Sequence, residues 1–397
     1  MKSGTQYKIL LCFFYLLYAF IPAQKIKMGA LIEDNFKQAA KQYKILMKVI
    51  PEDKLPQTYD SINKKVVSYE WTWWCTGFYP GSLWYIYEQT KDPVIRKEAE
   101  RALNIIAPNQ TYTGNHDLGF MMFCSFGNAY RLTGNPKYKE IIFQSAASLS
   151  SRYKPAAKVI QSWNSSKKFD GPVIIDNMMN LELLNWVSQN GGDSKYQEIA
   201  VTHANTTLKN HFRPDYSSYH VVDYNMNTGE VIKKKTFQGY SDESAWARGQ
   251  GWGLYGYTMM YRFTKDPKYL KRAQNIANFI LTNPNLPEDK IPYWDFNDPK
   301  IPDVPRDASA GALIASALLE LGQYTPEPEK AKYLDVAKQI IISLSGPKYR
   351  SAIGENGGFI LKHSTGALPL HSEIDVPLIY ADYYFLEALK RYQDWYL

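Results

Sequence analysis

The sequence is short of the residues that build metal and disulfide frameworks. Its 397 residues hold three cysteines and six histidines. There is no C-x-x-C and no H-E-x-x-H, which argues against a structural zinc site or a zincin-type centre, so no metal or other cofactor is expected. Cys12 lies in an N-terminal apolar run, which leaves Cys75 and Cys124 for the body of the chain. Both sit in aromatic or apolar segments, so two buried free thiols are expected rather than a bridge. Charge is scarce as well, at 21% of residues with a net charge of +7 and no long Lys/Arg block. Nucleic-acid binding calls for a basic patch that the sequence does not display, whereas a weak positive field suits an acidic small substrate. Membrane-spanning runs are missing too: the apolar stretch Ile9–Ile21 is too short for a comfortable anchor.

That stretch has another reading. Lys2 and Lys8 precede it and Pro22-Ala23-Gln24 follows it, the pattern of a secretory signal peptide. Residues 1–23 are therefore expected to be removed, giving a secreted or periplasmic protein with no membrane anchor. Lipidation at Cys12 is disfavoured, because Leu10-Leu11 and no small residues come before it. Residues 24–397 are then expected to form one large domain.

Aromatic residues are abundant, at 15% with 10 Trp and 31 Tyr. Core packing accounts for most of them, although Trp and Tyr also stack on the apolar faces of sugar rings. A recurring pattern organises them. It runs Tyr87-Glu-Gln-Thr90-Lys-Asp92-Pro93, then Tyr130-Arg-Leu-Thr133-Gly-Asn135-Pro136, then Tyr261-Arg-Phe-Thr264-Lys-Asp266-Pro267. Looser copies pass through Asp193-Ser194 and Tyr324-Thr325-Pro326. Each reads as a helix end, an Asp or Asn cap, and a Pro in the first turn of the next helix. The helix after each copy is amphipathic; the segment before it (Phe120–Tyr130, Met178–Val187, Trp252–Tyr261, Ala310–Leu321) is apolar nearly all round. With further helices near Asp34–Ile50 and Pro377–Tyr392, about six pairs of inner and outer helices are predicted. This is an all-α toroid, an (α/α)₆ barrel with no obvious strands. A helical solenoid would show more uniform repeats.

Polar residues precede the inner helices: Asn115-His116-Asp117, Asp176-Asn177, Arg248-Gly-Gln250 and Arg306-Asp307. Capping alone explains any one of them. Asp117 and Asp176 together suggest chemistry. Asp176 follows the apolar run Val173-Ile174-Ile175, so its pKa should be raised, as a general acid requires. Asp117, beside His116, is expected to stay ionised. Two carboxyl groups in different environments are common equipment for glycoside chemistry.

The same residues carry a resemblance. Trp74-Cys-Thr-Gly77-Phe78, His116-Asp117-Leu118-Gly119-Phe120, Ile174-Ile175-Asp176-Asn177 and Asp215-Tyr-Ser217-Ser218-Tyr219-His220 resemble motifs of the unsaturated glucuronyl hydrolases, glycoside hydrolase family 88. So do Thr236-Phe-Gln238-Gly239-Tyr240, Trp246-Ala-Arg248-Gly249-Gln250-Gly-Trp252, Tyr293-Trp294-Asp295-Phe296 and Asp382-Tyr383-Tyr384. The blocks occur in family order over nearly the whole mature chain, while Lys362–Asp375 departs from the family pattern. The resemblance implies an (α/α)₆ barrel with Asp176 as general acid/base and Asp117 as a second essential carboxylate. It also implies substrate contacts from Trp74, His116, Trp163, His220, Gln238, Arg248 and Trp252. For each, the bland reading is core packing, a cap or a structural hydrogen bond. Arg248 or His220 is expected to meet the substrate carboxylate, and the three tryptophans to stack on sugar rings. The implied partner is an oligosaccharide with a terminal 4,5-unsaturated uronic acid, left by a lyase. Removal would proceed by hydration of the C4=C5 enol ether, so the carboxylate-spacing rule for retaining and inverting enzymes does not apply. Two rivals are an unsaturated rhamnogalacturonyl hydrolase acting on pectin fragments and a non-catalytic sugar-binding toroid.

Overall fold

The computed structural model describes residues 26–397. The signal peptide expected at residues 1–23 lies outside them. Among the described residues no helix is long and apolar enough to cross a membrane.

The described residues wind through six helical hairpins. The outer helices are α1 (Met28–Leu46), α3 (Pro93–Ile106), α5 (Pro136–Ser150), α7 (Lys195–Asn210), α9 (Pro267–Thr282) and α11 (Glu329–Ser345). The inner ones are α2 (Phe78–Thr90), a π-helical segment (Gly119–Gly127) continued by α4 (Asn128–Thr133), α6 (Asn177–Gln189), α8 (Ala247–Thr264), α10 (Ala308–Tyr324) and α12 (Ile379–Tyr396). Each inner helix packs on the next, and α12 returns to α2, so the ring closes into an (α/α)₆ barrel. Close approach inside the ring depends on missing side chains. A Cβ on Gly119 would stand 2.4 Å from Asn180 Cα, and one on Gly256 would stand 2.5 Å from Met178 Cβ.

The Thr-x-Asp/Asn-Pro repeat makes the turns at one end of the barrel. Thr90, Thr133 and Thr264 each donate to the carbonyl four residues back, at 2.8, 2.7 and 2.7 Å. Each hydroxyl also accepts from the backbone N–H of Asp92, Asn135 or Asp266. Those three side chains then cap the next helix by accepting from Val94, Lys137 and Lys268, with Pro93, Pro136 and Pro267 in the first turn. The residue between, Lys91, Gly134 or Lys265, takes the left-handed conformation that ends the preceding helix.

The other end carries long loops, and these correct the expectation of no strands. Among the described residues seven short strands form three small sheets there: β1 (Leu55–Asp60) with β2 (Lys65–Tyr69), β3 (Tyr153–Lys154) with β4 (Val159–Ile160), and β5 (Pro172–Ile174), β6 (Val221–Tyr224) and β7 (Val231–Lys235). Most are too short to show a period of two in the sequence. Cys75 and Cys124 are free thiols; Cys75 is buried and Cys124 half-buried.

Candidate active site

Two cavities occupy the barrel axis, and an aromatic layer of Phe78, Phe120, Trp252 and Tyr384 lies between them, with ring centroids 5.1–5.8 Å apart. The cavity at the short-turn end measures about 510 Å³. Its charged groups satisfy one another. Arg262 pairs with Glu182 and Glu320, Arg391 pairs with Glu320 and Glu387, and Glu387 also accepts from Ser316 and Tyr255. None of its lining residues has a buried polar atom without a partner. The cavity at the long-loop end measures about 550 Å³. In and around it Asp176 Oδ2, His220 Nε2, Trp252 Nε1, Tyr380 OH and Gln57 Oε1 are buried without partners. Buried polar groups rarely stay unpaired, so these atoms mark the place where a ligand completes the structure.

Asp176 starts α6, yet its side chain caps nothing. Its backbone is held from both sides. Ile175 donates to the His220 carbonyl at 3.0 Å, and the Asn177 side chain donates to the Ile160 carbonyl at 2.6 Å. These bonds place His220 Nε2 3.8 Å from Asp176 Oδ2. His220 Nδ1 accepts from the backbone N–H groups of Phe237 (3.0 Å) and Gln238 (3.1 Å), so the ring proton belongs on Nε2, facing Asp176. Burial lowers the His220 pKa to about 3, with the Arg248 charge acting in the same direction. His220 is therefore a neutral donor and not a counter-ion.

Burial raises Asp176 to about 7, against the opposing pull of Arg248 and of the Trp252 N–H. Asp117 differs from expectation. Burial and then the Asp176 charge raise it to about 8. Its neighbour His116, with Nε2 3.3 Å from Asp117 Oδ1, is wholly buried and lowered to about 3, so it offers no positive charge to hold Asp117 ionised. The carboxyl pair keeps at least one proton near neutrality.

Trp74, Trp163 and Gln238 line this cavity with Asp117 and Asp176. The Trp163 ring lies 5.3 Å from Phe237 and the Trp74 ring 5.1 Å from Tyr380. Four residues are placed otherwise than expected, the first being His220, which faces Asp176 but is not in the cavity lining. Trp252 is 1% exposed. With Phe120 and Tyr384 against its ring, it cannot stack on a sugar; its N–H has no hydrogen-bond partner but lies near enough to Asp176 to oppose the rise in that group's pKa. His116 lies behind Asp117, outside the cavity lining. Arg248 is in the wall, but its guanidinium is engaged. Nη1 donates to Asp307 Oδ2 (2.7 Å) and the Thr365 carbonyl (2.6 Å), and Nη2 donates to the Gly366 carbonyl (2.6 Å). It is a clamp on the loop that closes the cavity. Asp307 is the capping aspartate of the set, accepting from Ser309 N–H at 3.0 Å. That loop holds His363, His371, Glu373 and Asp375 at positive φ, a concentration of backbone strain beside the cavity.

Sequence reasoning missed Gln57, Tyr69, Trp73, Glu373 and Tyr380, all of which line the cavity. Gln57 donates to Glu373 across 316 positions of sequence, which no local motif reveals. Among the described residues no group of three or more His, Cys, Asp or Glu is arranged to hold a metal ion.

Two proton-holding carboxyl groups in an aromatic-walled cavity of such a barrel are equipment suited to glycoside chemistry, and the family match makes the protein a glycoside hydrolase. The chain belongs to Glycosyl Hydrolase Family 88, whose model matches residues 44–396. It is 46% identical to an unsaturated glucuronyl hydrolase of Formosa agariphila over 362 residues, 91% of this chain and 87% of that protein. Among solved structures, an unsaturated glucuronyl hydrolase specific for heparin superposes with a TM-score of 0.89 at 45% identity, covering 92% of this chain and 98% of the other. A variant of the Streptococcus agalactiae unsaturated glucuronyl hydrolase, complexed with dGlcA-GalNAc6S, gives 0.80 at 31% identity, with 95% of each chain covered.

Proposed function

We propose that the enzyme releases the terminal 4,5-unsaturated uronic acid from lyase-generated oligosaccharides, glycosaminoglycan-derived disaccharides among them. The observation that carries this reading is Asp176. It is a carboxyl group freed from capping, with Oδ2 unpartnered in a cavity wall and a pKa near neutrality. The ligands named for the relatives above support the substrate class.

In the proposed reaction, protonated Asp176 gives its proton to C4 of the enol ether. The carboxylate then takes a proton from a water that adds to C5. The C5 hemiketal opens by breaking its bond to the ring oxygen, leaving a ketone at C5 and a hemiacetal at C1. Collapse at C1 expels the neighbouring sugar and releases a 4-deoxy-5-keto uronic acid. The Nε2–H of His220 steadies the carboxylate that Asp176 becomes. Asp117, held protonated while Asp176 is ionised, positions the ring. Trp74 and Trp163 offer stacking faces, and Gln238 and the Tyr380 hydroxyl are donors for the substrate carboxylate. Because Asp176 must start protonated, turnover falls as pH rises through about 7. Export is part of this reading, supported by the basic start and apolar run of residues 2–21.

Asp176→Asn tests it. The variant is expected to lose turnover of unsaturated disaccharides while still binding them. Full activity in that variant would overturn the mechanism.

A further inference from the structure

The cavity is blind. Asp117 and Asp176 lie deep in it at 8% and 7% exposure, whereas Tyr69, Trp73 and Leu370 at its mouth are 37%, 39% and 49% exposed. On the reading proposed above, a chain end enters and everything beyond the first sugars leaves over the rim. The rim is not electrically uniform. Phe237 lines the cavity and packs with Phe169 and Trp163 on one face of the β5–β6–β7 sheet. Two lysines converge on that aromatic face. Lys168 Nζ is 5.0 Å from the Phe237 ring and 5.8 Å from Phe169, and Lys233 Nζ is 5.1 Å from Phe169. Lys233 also donates to the Lys168 carbonyl at 2.7 Å, which ties the two together. The buried Asp223 stands 3.7 Å from Lys233, and no carboxylate among the described residues pairs with Lys168. Glu373, whose carboxyl is pushed above its usual range by burial, also lines the cavity.

We propose that Lys168 and Lys233, over the Phe169–Phe237 face, form an outer subsite for an anionic substituent (uronate or sulfate) on an oligosaccharide longer than a disaccharide. The aromatic floor removes competing hydration from the ammonium groups, and their like charges are relieved when an anion joins them. The subsite lies outside the cavity, so it adds affinity for longer chains and leaves disaccharides alone.

The test measures binding by calorimetry with hexasaccharides whose terminal double bond has been reduced, so that no turnover intervenes. One is unsulfated, with charge from internal uronates; the other is sulfated. At low salt, Lys168→Glu is expected to weaken hexasaccharide binding by about three- to tenfold, Lys168→Arg to preserve it, and molar salt to erase the difference. Reduced disaccharide should bind alike in all three proteins. An effect with both hexasaccharides assigns the subsite to carboxylates, and an effect with the sulfated one alone assigns it to sulfate. Hexasaccharides binding no more tightly than the disaccharide, or Lys168→Glu weakening every ligand equally, would overturn the proposal. Failure of the wild type to turn over any unsaturated disaccharide would instead sink the proposed function, a result the calorimetry does not depend on.

Discussion

Asp176 and Asp307 both stand at the start of an inner helix, and their surroundings separate them. Asp307 is wholly buried, caps α10 and balances Arg248, so all its acceptor capacity is engaged. Asp176 is left with an oxygen that nothing satisfies. Desolvated carboxyl groups of this kind weaken the fold when they ionise. The folded-state pKa of Asp117 is raised from 3.8 to about 8. Its contribution to stability is therefore complete below the unfolded value and disappears as pH climbs toward 8. Asp117→Asn should match the wild type near pH 4 and exceed its stability by up to about 5 kcal/mol at pH 8. Thermal unfolding across that range checks this, and parallel curves for the two proteins would refute it. The tryptophans separate in a similar way. Trp252→Ala empties a core position and should cost about 3–5 kcal/mol, with a large fall in melting temperature. Trp163→Ala, in the half-buried cavity wall, should raise KM with little change in melting temperature. Equal thermal effects would show that the two placements are wrong.

At the scale of elements, the Thr-x-Asp/Asn-Pro turns are the part of the fold most open to sequence reading. The hydrogen bonds that end one helix and cap the next are local, so identity and spacing suffice to predict helix end, cap and helix start. Removing one cap, as in Asp266→Ala, should cost about 1 kcal/mol. Denaturant unfolding would detect it, and an unchanged midpoint would mean that Pro267 and tertiary packing alone set the helix start. The strands were not legible for the opposite reason. Pro172–Ile174 pairs with Val221–Tyr224, nearly fifty positions away, and three residues carry no periodic signal. Those strands matter to the candidate site, because they bring Asp176 and His220 together. The π-helical turn after Asp117 was also beyond the sequence. It is a widening of a helix that reads as an ordinary apolar one, with Ser125 Oγ donating to the Met121 and Met122 carbonyls.

Across the whole molecule, the barrel holds one cavity whose polar groups are satisfied and one whose groups are not. The ion-pair network at the short-turn end joins α6, α8, α10 and α12 across the lumen. Glu320→Gln would leave Arg262 and Arg391 underpaired, at a cost of about 3–5 kcal/mol. A lowered melting temperature with unchanged KM is expected; a changed KM would mean that the two cavities communicate. The carboxyl pair of Asp117 and Asp176 and the ring of helices were readable because each lies at a repeated position, the start of an inner helix. The rim was not, since Gln57, Tyr69 and Trp73, in and just after the β1–β2 hairpin, meet Glu373 only when the closed ring brings its loop beside them. In the proposed reaction an alkene is hydrated before the glycosidic bond is lost. Stopped-flow absorbance of the conjugated C=C–COO⁻ group, followed alongside release of the neighbouring sugar, tests it directly. The absorbance should fall before or together with sugar release, one double bond lost for each sugar freed. Free sugar appearing while the absorbance persists would contradict the account.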